Sequence, residues 1–279
     1  MMRPNQLVAF TSCLLASNAG ALSDKPGLRT TSEILGTANA SLPIYRDASF
    51  CVDERVEDLI QRMTIEEKSG LFWHSRLIPG PNGTLDLGNS ERNSTEFMLG
   101  TQLISHFNLV GTISSARQSA EFHNRVQQYI IDNTRLGIPL SLSTDPRHAF
   151  TDNTGTGALA GKFSEWPEAT GLAALRSANL VRTFAEIARE EYLAVGIRAS
   201  LHPQVDLQTE PRWGRGAATF GEDAHLTAEL MVAYIKGFQG EKIGHHSVST
   251  VTKHFPGGGT VENGEDPHFT WLVPLKAIT

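Results

Sequence analysis

A chain of 279 residues, 40% hydrophobic and 19% charged, has ordinary globular composition, which excludes a disordered, collagen-like or multi-span membrane protein. The formal net charge is −6 and no Lys/Arg run or basic stripe occurs, which argues against a nucleic-acid partner. The length suits one large domain or two small ones.

The first 21 residues read as a secretory signal. Arg3 supplies the positive start, Leu7–Phe10 and Leu14–Ala16 the short apolar run, and Ala19-Gly20-Ala21 a small-x-small cleavage pattern, so the mature chain is expected to begin near Leu22. That run is too short to span a bilayer and nothing later is longer, so no membrane partner is expected. Cys13 falls inside the signal, which leaves Cys51 without an internal disulfide partner and predicts a buried thiol or a partner elsewhere. Asn39, Asn82 and Asn93 each begin an Asn-x-Ser/Thr sequon and are glycosylation candidates. Together these features predict a secreted, extracellular protein.

Residues 22–50, rich in Gly, Pro, Ser and Thr, read as an extended lead-in to a domain over 51–279. Val56, Leu59, Ile60 and Met63 recur at helical spacing. Thr64-Ile65-Glu66-Glu67 has the form of a capping box and predicts a second short helix. Residues 74–93, rich in Gly and Asn, read as a loop. A helix over Thr95–Phe107 and a strand over Val110–Ile113 are expected next. Phe122, Val126, Tyr129 and Ile130 mark a helical face before a strand at Ile138–Ser143. Val181, Phe184, Ala185, Ala188 and Tyr192 mark another, closed by Gly196 and followed by a strand at Ile197–Leu201. A helix over Ala224–Gly237 leads to a strand at Val248–Lys253.

Such alternation predicts a parallel α/β architecture, compatible with a (β/α)8 barrel or an open doubly wound sheet. An open nucleotide-binding sheet carries a Gly-rich phosphate turn after its first strand, and none is present. The polar residues of interest instead follow predicted strands: Asp145, then Asp206 with Arg212, then Lys253 with His254. A barrel places its chemistry at those strand ends. Neither cysteine has a metal-ligand spacing, and no metal or cofactor is expected.

Four segments in order carry a family resemblance. They are Asp58–Lys68 (DLIQRMTIEEK), Ser143–His148 (STDPRH), His202–Asp206 with Glu210–Arg215 and Thr219–Asp223 (HPQVD, EPRWGR, TFGED), and Thr252–Gly257 (TKHFPG). This set resembles the N-terminal domain of family 3 glycoside hydrolases, secreted β-glucosidases in particular. The resemblance implies a TIM-type barrel and retaining hydrolysis of terminal non-reducing β-D-glucosyl residues. That chemistry uses two carboxyl groups about 5–5.5 Å apart, one as nucleophile and one as acid/base. It implies a β-glucoside or oligosaccharide substrate, with Asp145, Arg212, Lys253 and His254 gripping the sugar. A sugar hydroxyl both donates and accepts, so a carboxylate beside cations suits it. Asp206, Trp213 and Glu222 are supporting candidates. Trp213 also reads as packing, Arg212 as an ion-pair partner of Glu210 or Glu222, and Glu222 with Asp223 as a helix cap.

Departures from the family pattern shape the remaining expectations. The family's nucleophile, an Asp in a later Ser-Asp-Trp segment, has no counterpart in these residues, and its acid/base Glu commonly lies on a second domain. Against the family pattern, about twenty residues are expected to be missing between His268 and Leu272. The expectation is a barrel incomplete at its C-terminal side, with about five strands, an exposed apolar side and no hydrolysis on its own. Asp266-Pro267-His268 resembles the Asp-x-His acid/base pair of the family's β-N-acetylglucosaminidases, an alternative reading; a non-catalytic sugar-binding fragment is another. Adjacent strand residues point to opposite faces, so Lys253 and His254 reaching one sugar predicts irregular, even cis, backbone there.

Overall fold

A computed structural model describes residues 42–111, 115–145, 147–149, 157–158, 163–255, 257–259, 261–266 and 268. The signal, Asn39, Ile113 and the 269–279 segment lie outside them. The chain divides into two compact units, Met1–Thr64 and Ile65–Thr279.

In the first unit a short 3-10 turn, Ile44–Arg46, precedes helix α1, Val52–Arg62. Tyr45 N–H donates to Asp58 at 3.0 Å and Arg55 Nε donates to Tyr45 O at 3.1 Å, which ties turn to helix. Cys51 caps α1, its backbone N–H donating to Glu54 at 3.1 Å. The thiol is exposed rather than buried, because a helix cap sits at the rim of its element.

The second unit is built on a parallel sheet of five strands in the order β1-β2-β3-β4-β5: His74–Leu77, His106–Leu109, Ser141–Thr144, Ala199–Ser200 and Ser249–Thr250. Helices α2 (Ile65–Gly70), α3 (Thr95–Gly100), α4 (Ala116–Asn133), α5 (Ala169–Ala174), α6 (Ala178–Ala194) and α7 (Ala224–Gln239) precede or connect them. Each of the first four strands is therefore followed by helix and then by its parallel neighbour, the wiring of an incomplete (β/α)8 barrel.

One sheet face meets the helices. Leu77, Phe107, Leu109 and Leu142 pack there with Phe122, Val126 and Ile130 of α4 and Val181, Phe184 and Ala185 of α6. The alternate residues, His74, Arg76, His106, Asn108 and Ser143, line the other face. His74 Nε2 reaches Ser143 Oγ at 2.8 Å although β2 lies between their strands. Next-nearest strands of a flat sheet are about 9.5 Å apart. The contact therefore requires a concave face, as a barrel wall provides.

Several boundaries differ from those expected. β1 occupies residues assigned to a loop, and its polar HSRL sequence explains why no apolar alternation signals it. The helix expected over Thr95–Phe107 ends at Gly100, and the chain turns through Leu103 at φ 57°. The second strand consequently lies at His106–Leu109, not Val110–Ile113, and Gly111 at φ 93° follows it. α6 ends where Gly196 takes φ 84°, a conformation that favours glycine, and a Cβ there would stand 2.4 Å from the His123 ring.

Candidate functional site

Three segments meet where β3, β4 and β5 end. Asp145 directly follows β3, and Lys253 Nζ donates to its Oδ2 at 2.6 Å. Arg147 Nη1 stands 4.0 Å from Asp145 Oδ1, while the same guanidinium grips Glu168 with two contacts of 3.3 Å. Burial opposes the Arg147 charge, but the neighbouring carboxylates of Glu168 and Asp145 outweigh it and raise its pKa. Arg147 and His148 both have left-handed φ, 52° and 53°, unusual for two consecutive side-chain-bearing residues. This turn sends His148 inward, where it is fully buried with Nε2 2.9 Å from Glu191.

The second segment is the chain beyond β4. Val205 N–H donates to Lys253 O at 2.7 Å and Lys253 N–H donates to Pro203 O at 3.0 Å, so 203–205 runs beside Lys253 as a short parallel bridge. Asp206 is buried and accepts from the backbone N–H of His254 at 3.2 Å and of Gly258 at 2.5 Å. Its Oδ2 lies 2.8 Å from His254 Nδ1. The Lys253–His254 peptide is cis, the irregularity expected there.

Arg215 closes the group. Its Nη2 donates to Gln204 Oε1 at 3.0 Å and lies 3.4 Å from His254 Nε2; its Nη1 is 3.8 Å from Asp266. The guanidinium also lies over the Trp213 ring, 5.8 Å from its centroid. Asp145, Arg147, Gln204, Asp206, Arg215, Lys253 and His254 thus form one connected polar cluster.

Arg212 is not brought into it. It is exposed, donating to Glu210 through Nε at 2.9 Å and Nη2 at 2.8 Å, and its N–H donates to the same carboxylate. That fork between residues two apart holds the side chain outside and lowers the Glu210 pKa to about 2. The place foreseen for Arg212 is taken by Arg215, from the same Glu-Pro-Arg-Trp-Gly-Arg segment. Asp206 supports His254 rather than Arg212 or the Lys253 side chain. Trp213 is buried, its Nε1 donating to Asp266 at 3.0 Å, which is the packing reading. Glu222 is exposed, and Asp223 rather than Glu222 caps α7. Asp266 and His268 pair closely, and the His268, Trp213 and Arg215 contacts outweigh burial to lower the Asp266 pKa. Asn82 and Asn93 are exposed.

Two buried polar atoms of the cluster find no hydrogen-bond partner among the described residues: Asp145 Oδ1, an acceptor, and Gln204 Nε2, a donor. In each side chain the other polar atom is taken by a cation, Lys253 or Arg215. Arg147, Gln204 and Arg215 lie inside the segments that carry the resemblance, each two or three residues from a residue expected to hold or support the sugar. A cavity of about 810 Å³ lies elsewhere, beside β1 between Trp73, Arg76, Asp86 and Met98, and contains no residue of this cluster. Among the described residues no three His, Cys, Asp or Glu side chains group as metal ligands, and no helix is long and apolar enough to cross a membrane.

Residues 52–272 match the family described as "Glycosyl hydrolase family 3 N terminal domain". The chain is 63% identical over 252 residues to "Beta-glucosidase C" of Emericella nidulans, covering 85% of this chain and 40% of that protein. It is 56% identical over 271 residues to "Probable beta-glucosidase C" of Aspergillus oryzae, covering 97% of this chain and 42% of that protein. Among solved structures, the exo-1,3/1,4-beta-glucanase of a Pseudoalteromonas species superposes with a TM-score of 0.63 at 23% identity, over 79% of this chain and 26% of its own. The chain spans about two fifths of the length of the curated relatives.

Proposed function

Because this chain belongs to glycosyl hydrolase family 3, we propose that it supplies the sugar-holding half of a retaining β-glucosidase site, acting on terminal β-D-glucosyl residues. The observation that carries this reading is the leftover pair on two cation-bound side chains, Asp145 Oδ1 and Gln204 Nε2. Each is a polar group that a sugar hydroxyl, donor and acceptor at once, satisfies. Lys253, Arg147 and Arg215 place charge-assisted donors around them, which suits a dense array of vicinal hydroxyls better than an apolar ligand. In this proposal Asp145, Lys253, His254, Arg147 and Arg215 surround the sugar, and Asp206 holds His254. A signal-like N-terminus and exposed sequons at Asn82 and Asn93 favour a secreted glycoprotein.

Neither Asp of the cluster is free to attack an anomeric carbon. Asp145 is held by Lys253, and Asp206 is buried against three donors. A site that binds sugar equally in ground and transition states does not accelerate the chemical step. The chain alone is therefore expected to bind glucose without hydrolysing a chromogenic β-glucoside. Calorimetry with glucose tests the reading. Asp145→Ala and Arg215→Ala are expected to weaken binding about 10- to 100-fold, the worth of charge-assisted hydrogen bonds, and Arg212→Ala to leave it unchanged. Saturable heat that survives both of the first two substitutions overturns the assignment.

A second reading, β-N-acetylglucosaminidase, is favoured by one observation: the Asp266–His268 pair stands beside Arg215. Tighter binding of N-acetylglucosamine than glucose, lost in His268→Ala, would select it.

A further inference from the structure

His202 lies outside the sugar-facing cluster, directly beneath it and fully buried. We propose that His202 is a positioning residue for Lys253 and His254, seating the 202–206 segment, on which the Lys253–Gly258 segment is laid, against helices α6 and α7. The functional consequence rests on the reading of Lys253 and His254 as sugar-facing; the mechanical part does not.

Each link is a hydrogen bond. At one end, Tyr192 Oη of α6 lies 3.1 Å from His202 Nε2, and Tyr234 Oη of α7 lies 2.5 Å from Nδ1. Both ring nitrogens are thus engaged, in one tautomer as donor and acceptor, by two different helices. Ser200 Oγ donates to the His202 carbonyl at 3.1 Å, which fixes the backbone below the ring. From there the links pass to the neighbouring segment. Pro203 O accepts from Lys253 N–H, Lys253 O accepts from Val205 N–H, and Asp206 collects His254 N–H, the His254 ring and Gly258 N–H. The described residues of 253–258 have no helix or long strand of their own to fix them, since β5 ends at Thr250.

The residue type fits this task. A phenylalanine of similar volume would leave two buried tyrosine hydroxyls without these partners, and a long flexible side chain would not fill the ring-lined site between Tyr192, Tyr234 and Phe238. Burial, and then the electrostatic influence of neighbouring basic side chains, Lys253 and Arg147 among them, push the His202 pKa well below its ordinary value, so the ring is neutral and keeps one acceptor. The tyrosines are likewise kept protonated, burial raising each well above its usual range.

Backbone hydrogen exchange tests this on the chain as it stands. Tyr192→Phe, Tyr234→Phe and the double variant each delete only hydroxyls. In the double variant the amides of Val205, Lys253, His254 and Gly258 are expected to exchange about tenfold faster or more, with the α4 amides of Val126 and Ile130 unchanged. Each single variant gives a smaller change in the same amides, and Tyr192→Phe, losing only the longer contact, carries the test if the double variant does not fold. Glucose affinity is expected to fall in parallel. Unchanged exchange at the four site amides, or equal acceleration in α4, overturns the proposal. Faster site exchange in a chain that binds no sugar would support the mechanical role and remove the sugar reading instead.

Discussion

Asp206 shows how much of the site hangs on single side chains. Its carboxylate satisfies two backbone N–H groups and a histidine ring while excluded from water. Asp206→Ala leaves those donors without their acceptor and is expected to lower unfolding free energy by about 3 kcal/mol in urea melts. Asp206→Asn keeps an acceptor for the two N–H groups and is expected to cost less, about 1 kcal/mol. Equal costs would mean the ring contact, not the backbone contacts, carries the stability. The contrast between Arg212 and Arg215 belongs to the same scale. Both occupy one turn, where neither helical nor strand period assigns a face, so sequence alone does not tell which guanidinium turns inward. The structure separates them by partners: Glu210 captures Arg212 locally, and Gln204, Asp266 and Trp213 receive Arg215.

Among elements, the α6–α7 pair makes a close junction. Gly237 lets α7 approach α6, for a Cβ there would stand 2.4 Å from Ala185 Cβ and 2.8 Å from Arg182 O. Neither neighbour is a flexible chain end. Gly237→Ala is expected to destabilise by about 1–3 kcal/mol despite alanine's better helix propensity, as measured by urea unfolding. Gly214→Ala, with no atom within 4 Å of the added Cβ, is the control and is expected to change little. The long helices are legible in the sequence because their buried faces recur at helical spacing: Phe122, Val126 and Ile130 in α4, Val181, Phe184 and Ala188 in α6. The short strands are legible only where apolar. β1 is hidden because His74 and Arg76 face the concave side and Ser75 interrupts the other. β4 and β5, two residues each, are shorter than the apolar runs that announce them, since loop geometry takes over at the site end. The strand-end rule points to the region of the candidate site, but the turn at Arg147–His148 has no sequence period from which its left-handed backbone could be read.

At the scale of the molecule, acid should weaken the fold in two stages. Burial holds the pKa of His123, His202 and His74 below the ordinary 6.5, with a further lowering contribution at His74 from His106. The unfolded chain therefore binds more protons than the folded one once pH falls below about 6.5, and stability is lost from there downward. Glu191 and Asp266 are held below their usual carboxylate range, so their contribution is lost as pH falls further, through about 4. Melting temperature is expected to fall between about pH 7 and 5, and less steeply in His123→Gln; a flat profile over that window would contradict the histidine assignment. Phe72, Trp73 and Phe255 are exposed, yet the concave face of the sheet is polar.

The cluster's pairings also bear on how a ligand finds it. Lys253 faces Asp145, Arg147 faces Glu168, and Arg215 stands near Asp266. Charges of opposite sign so close together cancel at a distance and leave short-range dipoles rather than a net field. A neutral solute arriving there is not steered from afar and displaces no bound counterion. Its encounter rate and affinity should therefore be almost insensitive to ionic strength, and discrimination begins only on contact.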